Sequence, residues 1–131
     1  MRKILIDTSA YSQLLRGSTD VLNVLGRADL TYMSIFVLAE LYTGFKGGSK
    51  EIPNKNLLER FLSRPTVRTI PATRETAEIF AGVKHGLRKA GTPLPINDVW
   101  IAAHTIETGS VLVTFDSHFK DIRGLRLWDT I

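Results

Sequence analysis

Four carboxylates stand where this chain is otherwise most apolar. Asp7 ends the run Ile4, Leu5, Ile6, and Glu40 interrupts an apolar stretch from Ile35 to Tyr42. Asp98 opens Val99, Trp100, Ile101, Ala102, Ala103, and Asp116 follows Val111 to Phe115. An unpaired buried carboxylate costs several kcal/mol or gives up its charge. A fold that accepts four of them gains most by bringing them together around a shared cation. Oxygen donors, in a chain with no Cys, favour Mg²⁺ or Mn²⁺ over Zn²⁺.

The apolar runs alternate with helical patterns. Strands are predicted at 3–6, 30–33, 67–70 and 111–115, with a last short one at 125–128. Thr8 to Arg16 predicts a helix stopped by Gly17, and Ser18 or Thr19 caps a second one to about Arg27. Ser34 caps a helix to about Lys46, ended by Gly47 and Gly48. Lys50 to Asn54 reads as a polar loop, with Asn54 capping a helix through Leu62. Thr73 caps a long helix to Ala90, which Gly91 ends. Asn97 caps a helix from Asp98 to Thr108, with Gly109 beyond it. This alternation predicts one α/β domain over residues 1–131, a three-layer sandwich with a mostly parallel central sheet flanked by helices. Ligands gather at the carboxyl ends of the strands in such sheets. Asp7 and Asp116 lie just past two of those ends, Asp98 at a helix N-terminus, and Glu40 in the second turn of a helix that follows a strand.

Composition narrows the partners. No run of apolar residues approaches the ~18 of a membrane span. Asp7 comes too early for a signal peptide's apolar core, so a cytoplasmic protein is expected. With no Cys, disulfides and thiolate metal sites are excluded. The net charge is +4 and the pI about 9.6. Residues 41–92 hold ten Lys/Arg against four Glu, while 93–131 hold three against five acids. A basic segment beside an acidic metal site suits a polyanionic substrate, and Arg60, Arg64, Arg68, Lys84, Arg88 and Lys89 are the candidates to follow a phosphate backbone. A solvated face explains the same charges.

The pieces IDTSAY at 6–11, SIFVLAELYTG at 34–44, NDVWIAAHTIETGSVLVTFDSHF at 97–119 and GLRLWD at 124–129 together resemble the PIN-domain nucleases. Within them they resemble the VapC-type toxins of prokaryotic toxin–antitoxin pairs. The resemblance implies a metal-dependent endoribonuclease that cuts tRNA or rRNA, inhibits translation and leaves 5′-phosphate and 3′-hydroxyl ends. It implies Asp7, Asp98 and Asp116 as core metal ligands and Glu40 as a further one, direct or through water. Thr8 and Thr114 match positions where the family often carries a hydroxyl near the site. It further implies a small VapB-type antitoxin that covers the acidic cleft, and a homodimer. Two departures stand out. Val37 replaces a common Thr or Ser, and His118 lies where some relatives place an extra acid.

Taken singly, these residues have plainer readings. Asp7 suits a helix N-cap, Asp98 a helix dipole and Asp116 a turn. His118 reads first as a satisfied structural residue. Glu40 resists a plain reading most, since its neighbours leave only a narrow polar stripe. Other chemistries fit less well. A haloacid-dehalogenase-like phosphatase needs a second Asp where Ser9 stands. A response-regulator receiver needs paired acids after the first strand, where Asp7 stands alone. The remaining alternative is a non-catalytic PIN-like RNA-binding or scaffold module, against which the intact set of four acids argues.

Overall fold

Ile4, Leu5 and Ile6 are all buried, although successive side chains of a strand point to opposite faces. Both faces of that strand are therefore covered, as a parallel sheet flanked by helices requires. The computed structural model describes residues 1–128. Asp129, which ends the GLRLWD piece, and the two residues after it lie outside the described residues.

Strand β1 (Lys3–Ile6) is followed by helices α1 (Thr8–Leu15) and α2 (Thr19–Arg27), then strand β2 (Leu30–Ser34). Helices α3 (Ile35–Lys46) and α4 (Glu51–Leu62) lead to strand β3 (Val67–Ile70). Helices α5 (Arg74–Ala90) and α6 (Ile96–Thr108) precede strand β4 (Val111–Val113). A short 3₁₀ helix covers Ser117–Asp121. The sheet order is β3-β2-β1-β4, with every neighbouring pair parallel. Leu5 lies between Tyr32 and Leu112 in register. The chain winds outward from β1 to β3, then returns to lay β4 on the other side of β1. That reversal opens a crevice at the carboxyl ends of β1 and β4.

Local chemistry explains most boundaries. The Ser18, Ser34 and Thr73 hydroxyls each accept an N–H in the first turn of the helix they precede. Thr73 does so within a reciprocal capping box with Thr76. Gly91 and Gly109 close α5 and α6 in the left-handed conformation, with φ of 72° and 66°. Leu5, Ile6, Met33, Val37, Ala102 and Val113 are fully enclosed. Trp100 stacks between Phe36 and Phe80, with centroids at 4.9 and 3.9 Å, and so joins α6 to α3 and α5.

Four predicted boundaries move. Helix α4 starts at Glu51, not after Asn54. Pro53 falls in its first turn, where a missing N–H costs no helical bond, and Lys46 pairs with Glu51 at 3.1 Å across the start. Asn97 is not the cap of α6. Pro95 holds that position with no side-chain bond, and Asn97 instead points its amide at Phe36 O, 3.5 Å away. Strand β4 ends at Val113 rather than Phe115, because Phe115 N–H turns aside to the Ser9 hydroxyl. The expected strand at 125–128 reduces to a single parallel bridge between Leu127 and Leu112. Among the described residues no helix is long and apolar enough to cross a membrane.

Candidate active site

Asp7 is the first residue past β1 and only 5% exposed. Its Oδ1 accepts from Ala10 N–H at 2.9 Å and from the Ser9 hydroxyl at 2.7 Å. Its Oδ2 accepts from the Thr114 hydroxyl. The plain reading as the N-cap of α1 is therefore true, but it uses only one oxygen. The other oxygen faces β4. Burial pushes the Asp7 carboxyl above its usual range, the Thr114, Ala10 and Ser9 bonds pull it back, and the Asp116 charge raises it again.

Asp116 follows β4 after a short turn. Its N–H donates to the Thr114 hydroxyl at 3.0 Å, and its Oδ1 accepts from His118 N–H at 3.0 Å to start the 3₁₀ helix. The His118 Nδ1 lies 2.8 Å from the same Oδ1. Asp98 is the third residue of α6. Its carboxyl is pushed up to about 6, first by burial, then by the charges of Asp116 and Glu40; His118 opposes this and Asp7 adds to it. Those couplings place all four acids in one electrostatic neighbourhood. Among the described residues no Lys or Arg forms an ion pair with any of them.

Glu40 reaches the site from the sixth position of α3. Its polar stripe is wider than the sequence suggests, since Ala39, Glu40, Tyr42 and Thr43 are all exposed while Leu38 and Leu41 are buried. The Thr8 hydroxyl donates to Glu40 Oε1 at 2.6 Å, which ties α1 to α3 at the mouth of the crevice. The tightest set of donor atoms is Asp98, Asp116 and His118, which can each offer one atom within 4.8 Å of the others. Asp7, held by three donors, and Glu40, held by Thr8, flank that set.

Two residues differ from their sequence readings. His118 is exposed and turned toward acids, rather than enclosed as a structural residue. In the sequence Ser9 reads only as a missing acid. It proves to link both sides of the crevice, donating to Asp7 and accepting from Phe115 N–H at 3.0 Å. The run of hydroxyls at Thr8 and Ser9 directly after Asp7 was the available signal. The six basic candidates fall into three groups. Arg60 and Arg64 line a groove of about 270 Å³ with Tyr11 and Phe61. Arg68 folds back on Pro65 O and Val67 O, and Lys84, Arg88 and Lys89 lie along α5.

The chain matches the PIN domain family over residues 4–125. It is 32% identical over 133 residues to ribonuclease VapC2 of Haemophilus influenzae, covering 96% of each chain. It is 32% identical over 111 residues to ribonuclease VapC2 of Rickettsia felis, covering 82% of this chain and 81% of that one. It is also similar to a chain of VapBC2 from Rickettsia felis, solved bound to a DNA fragment from their promoter. That likeness has a TM-score of 0.87 and 26% identity, covering 97% of this chain and 99% of the other. With the acids of β1, α3, α6 and β4 gathered in one crevice, this chain belongs to the PIN-domain family, alongside the VapC ribonucleases.

Proposed function

We propose that this protein is a divalent-metal-dependent endoribonuclease of the VapC toxin kind. The observation that carries the reading is the meeting of Asp7, Glu40, Asp98 and Asp116 at the carboxyl ends of β1 and β4 without a Lys or Arg partner among the described residues. Such a cluster repels itself, and burial first, then the charges of Asp116 and Glu40, push the Asp98 carboxyl up to about 6. A divalent cation relieves that repulsion, and the donor set suits one: carboxylates, one imidazole and no thiol.

Asp98, Asp116 and His118 are the residues to hold such an ion, with Asp7 and Glu40 beside them. When bound, the ion supplies neutralising charge for a phosphodiester and a water of lowered pKa. The protein's own part is positional. Ser9, Thr114 and Ala10 N–H fix the rotation of Asp7, and Thr8 fixes Glu40. Donation from Thr114, Ala10 N–H and Ser9 also opposes the rise that burial imposes on the Asp7 carboxyl. The inferred ion is Mg²⁺ or Mn²⁺, and the inferred substrate is tRNA or rRNA, cut to 5′-phosphate and 3′-hydroxyl ends. Arg60 and Arg64 are proposed to meet phosphates beyond the crevice. A small VapB-type antitoxin is the inferred partner, the working form is a homodimer, and the site of action is the cytoplasm.

The test is cleavage of structured RNA by purified protein with Mg²⁺, Mn²⁺ or EDTA, beside Asp98→Asn. Metal-dependent cutting by the wild type and a loss of at least ~10²-fold in the variant are expected, the size of one lost electrostatic group. Cleavage that persists in EDTA overturns the mechanism. RNA binding without cutting in any metal returns the chain to a non-catalytic binding module.

A further inference from the structure

A cavity of about 750 Å³ opens at the end of the sheet opposite the acids. Its walls bring Arg2 and Lys3 of β1 and its approach, Arg27 from the last turn of α2, and Arg126 near the end of the described chain into one cleft. Among the described residues the one carboxylate on that wall, Asp29, already accepts the Arg2 backbone N–H at 2.6 Å. Two of the four cations are anchored by backbone carbonyls: Lys3 donates to Thr108 O at 3.2 Å and Arg126 to Gly109 O. Their charge is thereby held at the cleft rather than spread through solvent.

The cleft does not end there. Arg2, Arg27 and Val111 also line an adjoining groove of about 420 Å³, whose wall includes Trp128 and one acid, Asp20. The Trp128 ring meets Phe115 edge to face at 5.7 Å. Phe115 is 46% exposed and directly precedes Asp116. A band of cations and aromatic rings thus runs from the mouth of the acidic crevice, around the β4 edge, to the amino ends of β1 and β4. Four residue steps along β1 carry Lys3 to Asp7, about 13 Å at ~3.3 Å per residue.

We propose that this band is a second RNA-contact surface, which holds the backbone of a single-stranded segment flanking the cleaved bond. The proposal rests on the endoribonuclease reading and names where that substrate extends. A basic groove interleaved with aromatic faces is the chemistry that binds single strands without regard to sequence. A flexible strand follows the turn around the β4 edge, which a rigid duplex does not. Arg2 and Arg27 supply the phosphate contacts, and Phe115 offers its exposed face to a base next to the crevice.

The test compares Arg2→Ala/Arg27→Ala with the parent, both carrying Asp98→Asn so that RNA stays uncut. Arg2→Ala keeps the backbone N–H that Asp29 accepts, and Arg27→Gln replaces Arg27→Ala if the helix end loosens. Binding of a labelled, mixed-sequence single-stranded RNA is read by anisotropy across a salt series. The slope of log K against log salt is expected to fall by about 1.4, two contacts at ~0.7 each. Phe115→Ala is expected to weaken binding about tenfold with little change in slope. With Asp98 restored, the double variant should cut a short oligonucleotide that spans only the acids at the parental rate, while KM for the long RNA rises. An unchanged slope overturns the proposal. So does a double variant that keeps RNA binding but loses a protein partner, since the cleft is then a protein-docking surface. Because the slope is read on uncut RNA, a wild-type protein that cuts nothing counts against the nuclease reading and leaves the outcome for this surface separate.

Discussion

The Thr114 hydroxyl donates to Asp7 Oδ2, so the carboxylate just past β1 is fastened to the residue just past β4. Ser9 adds a second link by donating to Asp7 Oδ1 and accepting from Phe115 N–H. The crevice is therefore held closed by hydroxyls as well as by the sheet. A buried carboxylate that loses such a donor keeps its desolvation cost without the compensation.

Thr114→Val should lower stability by about 1–3 kcal/mol near neutral pH, the usual cost of an unsatisfied buried group. Ser9→Ala should have a smaller effect, since Ala10 N–H still serves the same oxygen. Urea unfolding of the three proteins measures both. Equal midpoints for Thr114→Val and wild type would remove Thr114 from this role.

Asp98→Asn should produce a crossing pattern. The Asp98 carboxyl stands at about 6 in the folded protein against an ordinary 3.8. Between those values the fold keeps a proton that the unfolded chain has lost, so stability from this group falls as pH rises through that window. In EDTA the wild type should lose melting temperature over that range relative to Asp98→Asn. With Mg²⁺ at ten times Kd, wild type should gain about 1.4 kcal/mol, several degrees for a domain of this size. The variant should gain less. Equal Mg²⁺ shifts would count against Asp98 as a ligand.

His118 should tilt metal preference. An imidazole beside two carboxylates favours Mn²⁺ over Mg²⁺ relative to an all-oxygen site. Thermal shifts with each ion should show a larger Mn²⁺ advantage for wild type than for His118→Asn, and His118→Asp should bring Mg²⁺ closest to Mn²⁺. If all three proteins rank the ions with the same gap, His118 does not touch the metal.

Acid should loosen the fold at a second point. His104 is fully enclosed, with Nδ1 2.7 Å from the Ser34 hydroxyl and Nε2 3.1 Å from Pro71 O. Nε2–H donates to the carbonyl, so Nδ1 accepts from Ser34. Burial lowers its pKa from 6.5, with the Pro71 bond and the Glu107 charge opposing. The unfolded chain then takes up a proton first, and stability declines as pH falls below about 6.5. His104→Gln should be less stable near pH 7 but lose less on acidification. Parallel pH profiles for the two proteins would rule out His104 as a source of the decline.

The sequence carries the sheet and the acids because both leave a local trace. Apolar runs mark β1 and β4, a weak alternation marks β2, and each acid stands out against its apolar neighbours. Burial of Asp7 follows from its place after Ile6. What stayed hidden is the pairing between distant segments. Nothing local to Ser9 says that it will meet Phe115, and nothing local to His118 says that Asp98 will face it. The starts of α4 and α6 were misplaced for a related reason. Asn54 and Asn97 have the chemistry of caps, but α4 begins at Glu51, which pairs with Lys46, and α6 begins at Ile96 while Asn97 turns its amide to Phe36 O. The shortened β4 shows the same rule, since Phe115 has strand propensity and a stronger claim on its N–H elsewhere.

The parallel pairing of β1 with β4 joins the first strand of this chain to the last. On the proposed reading this sets the timing of activity during synthesis. A nascent chain that has emerged through β3 owns Asp7 and Glu40 but neither Asp98 nor Asp116, and the crevice has only one wall. The ribosome that makes the protein is therefore shielded from it until α6 and β4 arrive, and a chain cut short before them is inert.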